Sequence, residues 1–119
     1  MTVNTAESIE QPNERHLKIL VVDDDDLNRR MMRLLLVRAG HDVQVVANGV
    51  EALDAVKEQH FDVVFMDLQM PILDGYEASR RIREWENGHF HTYIIALTAS
   101  YLPEDGHLLF DAGIDNYIS

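Results

Sequence analysis

The chain of 119 residues contains no cysteine. Disulfides, thiol catalysis and cysteine-based zinc sites are therefore excluded, and a reducing, cytoplasmic setting is compatible with the composition. Positive charge is scarce. Ten Lys and Arg stand against 21 Asp and Glu, a formal net charge of -11. Nonspecific binding to nucleic acid or to an anionic membrane needs basic patches, so neither is expected. No apolar run is long enough to span a bilayer, and residues 1–16 lack the apolar core of a signal peptide. That opening segment is polar, with Pro12 inside it, and reads as a flexible lead-in. Internal repeats and low-complexity stretches are also missing.

What remains is ordinary for one globular domain, with 46% hydrophobic and 26% charged residues. Apolar runs within Leu17–Val22 and Phe61–Met66, broken only by Lys18 and Asp62, and the continuous run Tyr93–Leu97 suit strands buried on both faces of a parallel sheet. Asp42–Ala47 partly alternates, as a strand nearer the edge does, and Asp115–Ser119 begins a fifth strand. Between them the 3.6-residue period predicts helices. Asn28–Ala39 carries Met32, Leu35, Leu36 and Ala39 on one stripe, and Val50–Gln59 carries Val50, Leu53 and Val56. Gly75–Glu86 carries Ala78, Ile82 and Trp85. A fourth helix opens at Pro103-Glu104-Asp105, with Leu108, Leu109 and Ala112 inward. Gly40, Asn48-Gly49, Asn87-Gly88 and Gly113 punctuate the elements. Such alternation predicts an α/β fold, a five-stranded parallel sheet doubly wound by helices through right-handed crossovers.

The chemistry gathers at strand ends. Val63-Val64-Phe65-Met66 runs into Asp67, then a loop with Pro71, then Asp74-Gly75 at a helix start. The first strand ends in Asp23 to Asp26, and the fourth in Thr98. In a sheet of order 2-1-3-4-5 the first and third strands adjoin at the topological switch point, where ligands bind. Asp23, Asp24 and Asp67 would then share one crevice. Two such charges about 5 Å apart repel by roughly 3 kcal/mol at an effective dielectric near 20. A hard divalent cation relieves this, and an all-oxygen site retaining water suits Mg2+. Carboxylates, a metal and a hydroxyl together suit phosphoryl transfer.

Five segments, in order, carry a family resemblance: Ile19–Arg30, Asn48–Leu53, Phe61–Gly75, Ile94–Ser100 and Ala112–Ser119. From Leu17 to Ser119 the chain resembles the receiver domain of two-component response regulators, most of all the receivers of hybrid sensor histidine kinases. The resemblance implies a flavodoxin-like fold over residues 17–119. It implies that Asp67 accepts a phosphoryl group from phosphohistidine on a histidine kinase or a histidine phosphotransfer domain. It also implies that Asp24, Asp67 and the Gln69 backbone carbonyl hold Mg2+, with Asp23 acting through water. Thr98 would bond a phosphoryl oxygen, and Tyr117 would be the aromatic switch. An output domain and a homodimer are compatible with the family. The family places a lysine, a proline and a fifth helix after the fifth strand. This sequence ends at Ser119, so the domain is expected to be truncated before that helix.

Other residues invite simpler readings. Asp25 and Asp26 fit surface acids capping the first helix, and Asp74 fits an N-cap. Met31 and Met32 fit either core or a partner-facing surface. His89 and His91 flank Phe90, but two histidines do not make a metal site. Two other functions share part of the pattern. A haloacid-dehalogenase-type phosphohydrolase also uses Asp-x-Asp after a first strand, as in Asp23-x-Asp25. That reading needs a longer chain and leaves Asp67 without a role. A receiver-fold interaction module working without phosphorylation would not need the acids.

Overall fold

The computed structural model describes residues 16–98 and 106–118. The flexible lead-in expected before His16, the helix start at Pro103–Asp105 and the last strand residue, Ser119, lie outside the described residues. The strands are β1 (Lys18–Val22), β2 (Asp42–Val46), β3 (Val63–Asp67), β4 (Tyr93–Leu97) and β5 (Asn116–Ile118). The helices are α1 (Asp26–Arg38), α2 (Gly49–Glu58), α3 (Gly75–Glu86) and α4 (Gly106–Asp111). All pairings are parallel, and the sheet order is β2-β1-β3-β4-β5. The expected fold class and strand order are therefore found, and β2 is an edge strand as its weaker apolar pattern predicted.

The order reverses direction after β2, so right-handed crossovers put α1 on one face and the next helices on the other. Leu20, Val22, Val64, Met66, Ile94 and Ala96 point to the second face and form the main core with Ala52, Val56, Ala78, Ile82, Leu109 and Ala112. Registers such as Val21 beside Phe65 and Phe65 beside Ile95 put the alternate residues on the α1 face. There α1 packs over β1 and β2. Phe65, Ile95 and Leu97 stay half-buried, and Tyr93 and Ile118 are exposed.

Caps follow side-chain chemistry. Asn48 accepts from the Glu51 N–H at 2.9 Å, and Glu51 reaches back to the Ala47 N–H at 2.8 Å. Asp74 accepts from the Glu77 N–H at 2.9 Å, the expected N-cap. Asp25 occupies the cap position of α1 but makes no side-chain cap bond, and Asp26 is already helical. Capping by these two acids is thus corrected. Asp26 instead pairs with Arg29 and Arg30 along the helix.

All four helical faces differ in part from expectation. In α2 the buried set is Gly49, Ala52, Ala55 and Val56, while Val50 is exposed. Small residues let α2 lie close to α3. In α3 Ala78 and Ile82 are buried as expected, but Trp85 falls at the rim and Glu86 is 2% exposed. In α1 no residue is fully buried, and Leu35 lies outward with Leu27, Met31 and Leu34. Leu108 of α4 is likewise exposed, beside buried Leu109.

Stability should track this division. Phe61, 1% exposed, should lose about 3–5 kcal/mol as Phe61→Ala. Leu34, 56% exposed, should change by no more than about 0.5 kcal/mol as Leu34→Ala. Urea denaturation of both variants checks the contrast.

Candidate phosphoryl-acceptor site

Asp23 follows β1 and Asp67 ends β3, so two adjacent strands deliver their carboxylates to the same edge of the sheet. Carboxylate oxygens of Asp23, Asp24 and Asp67 all lie within 4.8 Å of one another. Among the described residues these form the one group of three or more metal-type ligands that comes together. Asp23 is buried, Asp67 half-buried and Asp24 exposed, so the cluster opens to solvent on one side. His89 and His91 take no part in it.

The loops hold these acids in place. The Asp23 side chain accepts from the Asp25 N–H at 2.9 Å, and the Asp23 carbonyl accepts from Arg29 at 2.7 Å. The Gln69 N–H donates to Asp67 at 3.1 Å. Gly75 is dictated by close approach. Its N–H donates to the Leu68 carbonyl at 3.2 Å, and a Cβ there would run into the Asp67 carbonyl. Between them Ile72 has φ 74°, a left-handed conformation unusual for a β-branched residue, while Leu73 N–H bonds the Pro71 carbonyl at 2.8 Å. The loop after Asp67 is thus a strained γ-turn, which no local sequence signal announced.

A cleft of about 520 Å³ surrounds the acids. Thr98, immediately after β4, lines it with Asp67 and Gln69, and donates its N–H to the Ile118 carbonyl at 3.1 Å. Tyr117 pairs in register with Ala96 and packs, partly buried, against the main core, away from the cleft lining. The sequence reading overlooked Tyr76, in the first turn of α3, and Asn28 of α1, which also line the cleft. Met31 and Met32, left open as core or surface, both line it.

Burial pushes the Asp67 carboxyl up from 3.8 to about 6, helped by the Asp23 charge and by a hydrogen bond and charge from Asp24, while the Gln69 N–H pulls downward. Crowded carboxylates with a raised pKa are the donor set of a site that accepts a hard cation. The oxygen-only chemistry of Asp23, Asp24 and Asp67 therefore fits Mg2+.

The sequence matches the family described as response regulator receiver domain over residues 19–119. The chain belongs to that family. It is 36% identical to hybrid signal transduction histidine kinase K of Dictyostelium discoideum, over 97% of this chain but 11% of that protein. The chain thus spans a small part of the curated relatives it matches. The Mg2+ complex of the receiver domain of the histidine kinase CKI1 from Arabidopsis thaliana is 34% identical, with a TM-score of 0.80, covering 86% of this chain and 81% of that one. The co-crystal structure of the Saccharomyces cerevisiae phosphotransfer protein Ypd1 and the receiver domain of Ssk1 matches with a TM-score of 0.78 and 29% identity, covering 87% and 77% of the two chains. The receiver is a module of two-component phosphorelay signalling, and its family role is that of phosphoacceptor. No helix among the described residues is long and apolar enough to cross a membrane.

The raised Asp67 pKa has a thermodynamic consequence. The folded receiver holds this proton more tightly than the unfolded chain does. The group favours folding most below 3.8, and that contribution is lost as pH rises through about 6. Added Mg2+ should therefore raise the melting temperature at pH 7.5 and do so much less at pH 5, where Asp67 is protonated. At 100 times its Kd, Mg2+ would add about 2.7 kcal/mol. Without Mg2+ at pH 7.5, Asp67→Asn should melt above the parent. Thermal melts at both pH values check these outcomes.

Proposed function

We propose that residues 17–119 act as a receiver whose Asp67 takes a phosphoryl group from phosphohistidine on a kinase or phosphotransfer domain. The observation that carries this reading is the convergence of Asp67 with Asp23 and Asp24 beside Thr98 in one open cleft. An Asp67 carboxylate oxygen attacks phosphorus of a phosphohistidine protonated at its other ring nitrogen, the phosphorus–nitrogen bond breaks with its electron pair going to nitrogen, and the neutral imidazole departs. The product is an acyl phosphate. Asp24, Asp67 and the Gln69 carbonyl would hold Mg2+, with Asp23 through water. When bound, the metal supplies charge neutralisation on the phosphoryl oxygens. Burial limits water around Asp67. The Thr98 hydroxyl would donate to a phosphoryl oxygen, and Tyr117, beside Ala96 on the neighbouring strand position, would respond as the aromatic switch.

The carboxylate cluster favours this over the phosphohydrolase alternative, because it contains Asp67 and excludes Asp25. The raised Asp67 pKa is also what a poised site would carry, whereas a module working without phosphorylation has no use for it.

A partner-docking face adjoins the cleft. Leu27, Met31 and Leu34 form an outward stripe on α1, and Arg30 and Arg33 border it. Such a patch marks an interaction surface, and its basic border suits an acidic rim on the phosphodonor protein. The lack of cysteine accords with a cytoplasmic module.

Acetyl phosphate with Mg2+ should add one phosphoryl group to the chain, read by intact mass spectrometry. EDTA or Asp67→Asn should abolish it, and labelling that survives Asp67→Asn would refute the assignment. Thr98→Ala should slow labelling without moving its site. Leu34→Glu should slow transfer from a phosphorylated histidine phosphotransfer domain about tenfold or more, while leaving acetyl phosphate labelling unchanged.

A further inference from the structure

At the opposite end of the strands lies a second concentration of charge, and it is densely hydrogen-bonded. Arg83, near the end of α3, donates through Nε and Nη2 to the Gly113 carbonyl at 2.9 and 2.7 Å. Nη2 also donates to Asp115 at 2.9 Å, and Nη1 to Glu86 at 2.8 Å. Each carboxylate in turn fixes the start of β4. Buried Glu86 accepts from the Thr92 N–H at 2.8 Å. Asp115 accepts from the Ile94 N–H at 2.8 Å, and the Asp115 N–H donates to the Ile94 carbonyl at 2.9 Å. His91 lies 2.7 Å from the second Asp115 oxygen. Gly113, at φ 87°, has no room for a side chain, since a Cβ would meet Arg83 Cγ at 2.6 Å.

What this clamp holds is the weakest strand. Among the described residues β5 has three residues and pairs with β4 alone. So short an edge strand cannot fix its own register through its ladder alone. The clamp puts Asp115 opposite Ile94, which sets Asn116 beside Ile95, Tyr117 beside Ala96 and Ile118 beside Leu97. The Ile118 carbonyl then receives the Thr98 N–H. The fork of Arg83 is thus joined through β5 to the backbone of a residue at the Asp67 cleft.

We propose that Arg83 is a positioning residue for the phosphoryl site: by fixing the start of β5 it sets where Thr98 lies. The functional half of this proposal rests on the reading of Thr98 given above; the mechanical half does not. Lysine at this position keeps the charge but loses the planar fork that spans Gly113, Asp115 and Glu86.

The test is amide hydrogen exchange on the full chain of Arg83→Met, Arg83→Lys and Asp115→Asn, with acetyl phosphate labelling in parallel. Exchange at Thr98 and at Asn116–Ile118 should quicken about tenfold or more in Arg83→Met, while amides in β1 and β3 keep their protection. Arg83→Lys should fall between it and the parent, and Asp115→Asn should give the same local pattern. The labelling rate at saturating acetyl phosphate should drop in Arg83→Met, with the Mg2+ concentration for half-maximal labelling unchanged. Exchange that is unaltered, or that rises equally in β1 and β3 in both Arg83→Met and Asp115→Asn, would overturn the proposal. A parent chain that takes no phosphoryl group would remove the phosphoacceptor reading but leave the exchange result to stand or fall by itself.

Discussion

Everything at the functional edge follows from carboxylates forced together by the parallel sheet. β1 and β3 are neighbours, and each delivers its acid at the same end. Separation would require breaking the pairing that buries Val22 and Met66, whose removal from water is worth more than the repulsion costs. The fold therefore holds Asp67 in a state that a proton or a cation improves. That crowding is what raises the Asp67 pKa at this end of the sheet.

The same geometry explains the uneven wrapping of the sheet. The face under α2, α3 and α4 is closed, with Leu20, Val64 and Ile94 fully buried. The α1 face is partly open, and α1 itself is apolar on its outward side. Leu27, Met31 and Leu34 lie outward on α1, and Met31 also lines the acid cleft.

Much of this was legible in the sequence, for a stated reason at each place. Asp23, Asp24 and Asp67 stood out because each follows an apolar run long enough to be a buried strand, and strand order then brought them together. Asp74 was legible from cap chemistry. Trp85 misled, because the helical period alone does not say where the stripe is centred, and a rotation of one residue exchanges Trp85 for Glu86. The α2 face was misplaced for a related reason. Hydrophobicity favoured Val50, whereas close approach to α3 favoured Gly49 and Ala52. Ile72 could not be foreseen, since its positive φ is imposed by the closure of the loop between β3 and α3. Nor could the Arg83–Asp115 pair, whose partners are separated by 32 positions and meet only once the sheet is assembled.

The two ends of the strands thus use charge in opposite ways. At the amino ends of β4 and β5, Arg83, Glu86 and Asp115 satisfy one another and the neighbouring backbone. A buried carboxylate such as Glu86 is tolerable only with that full set of partners, and the set in turn fixes geometry. At the carboxyl ends of β1 and β3, Asp23, Asp24 and Asp67 crowd together, and Arg29 beside them donates to the Asp23 carbonyl. β4 and β5 run from their hydrogen-bonded amino ends to the cleft, with Thr98 at the far end of one and Ile118 at the far end of the other. A responsive site needs a fixed reference against which to move. A hydrogen-bonded set of charges fixes one end of these strands, and crowded carboxylates occupy the other end of the sheet.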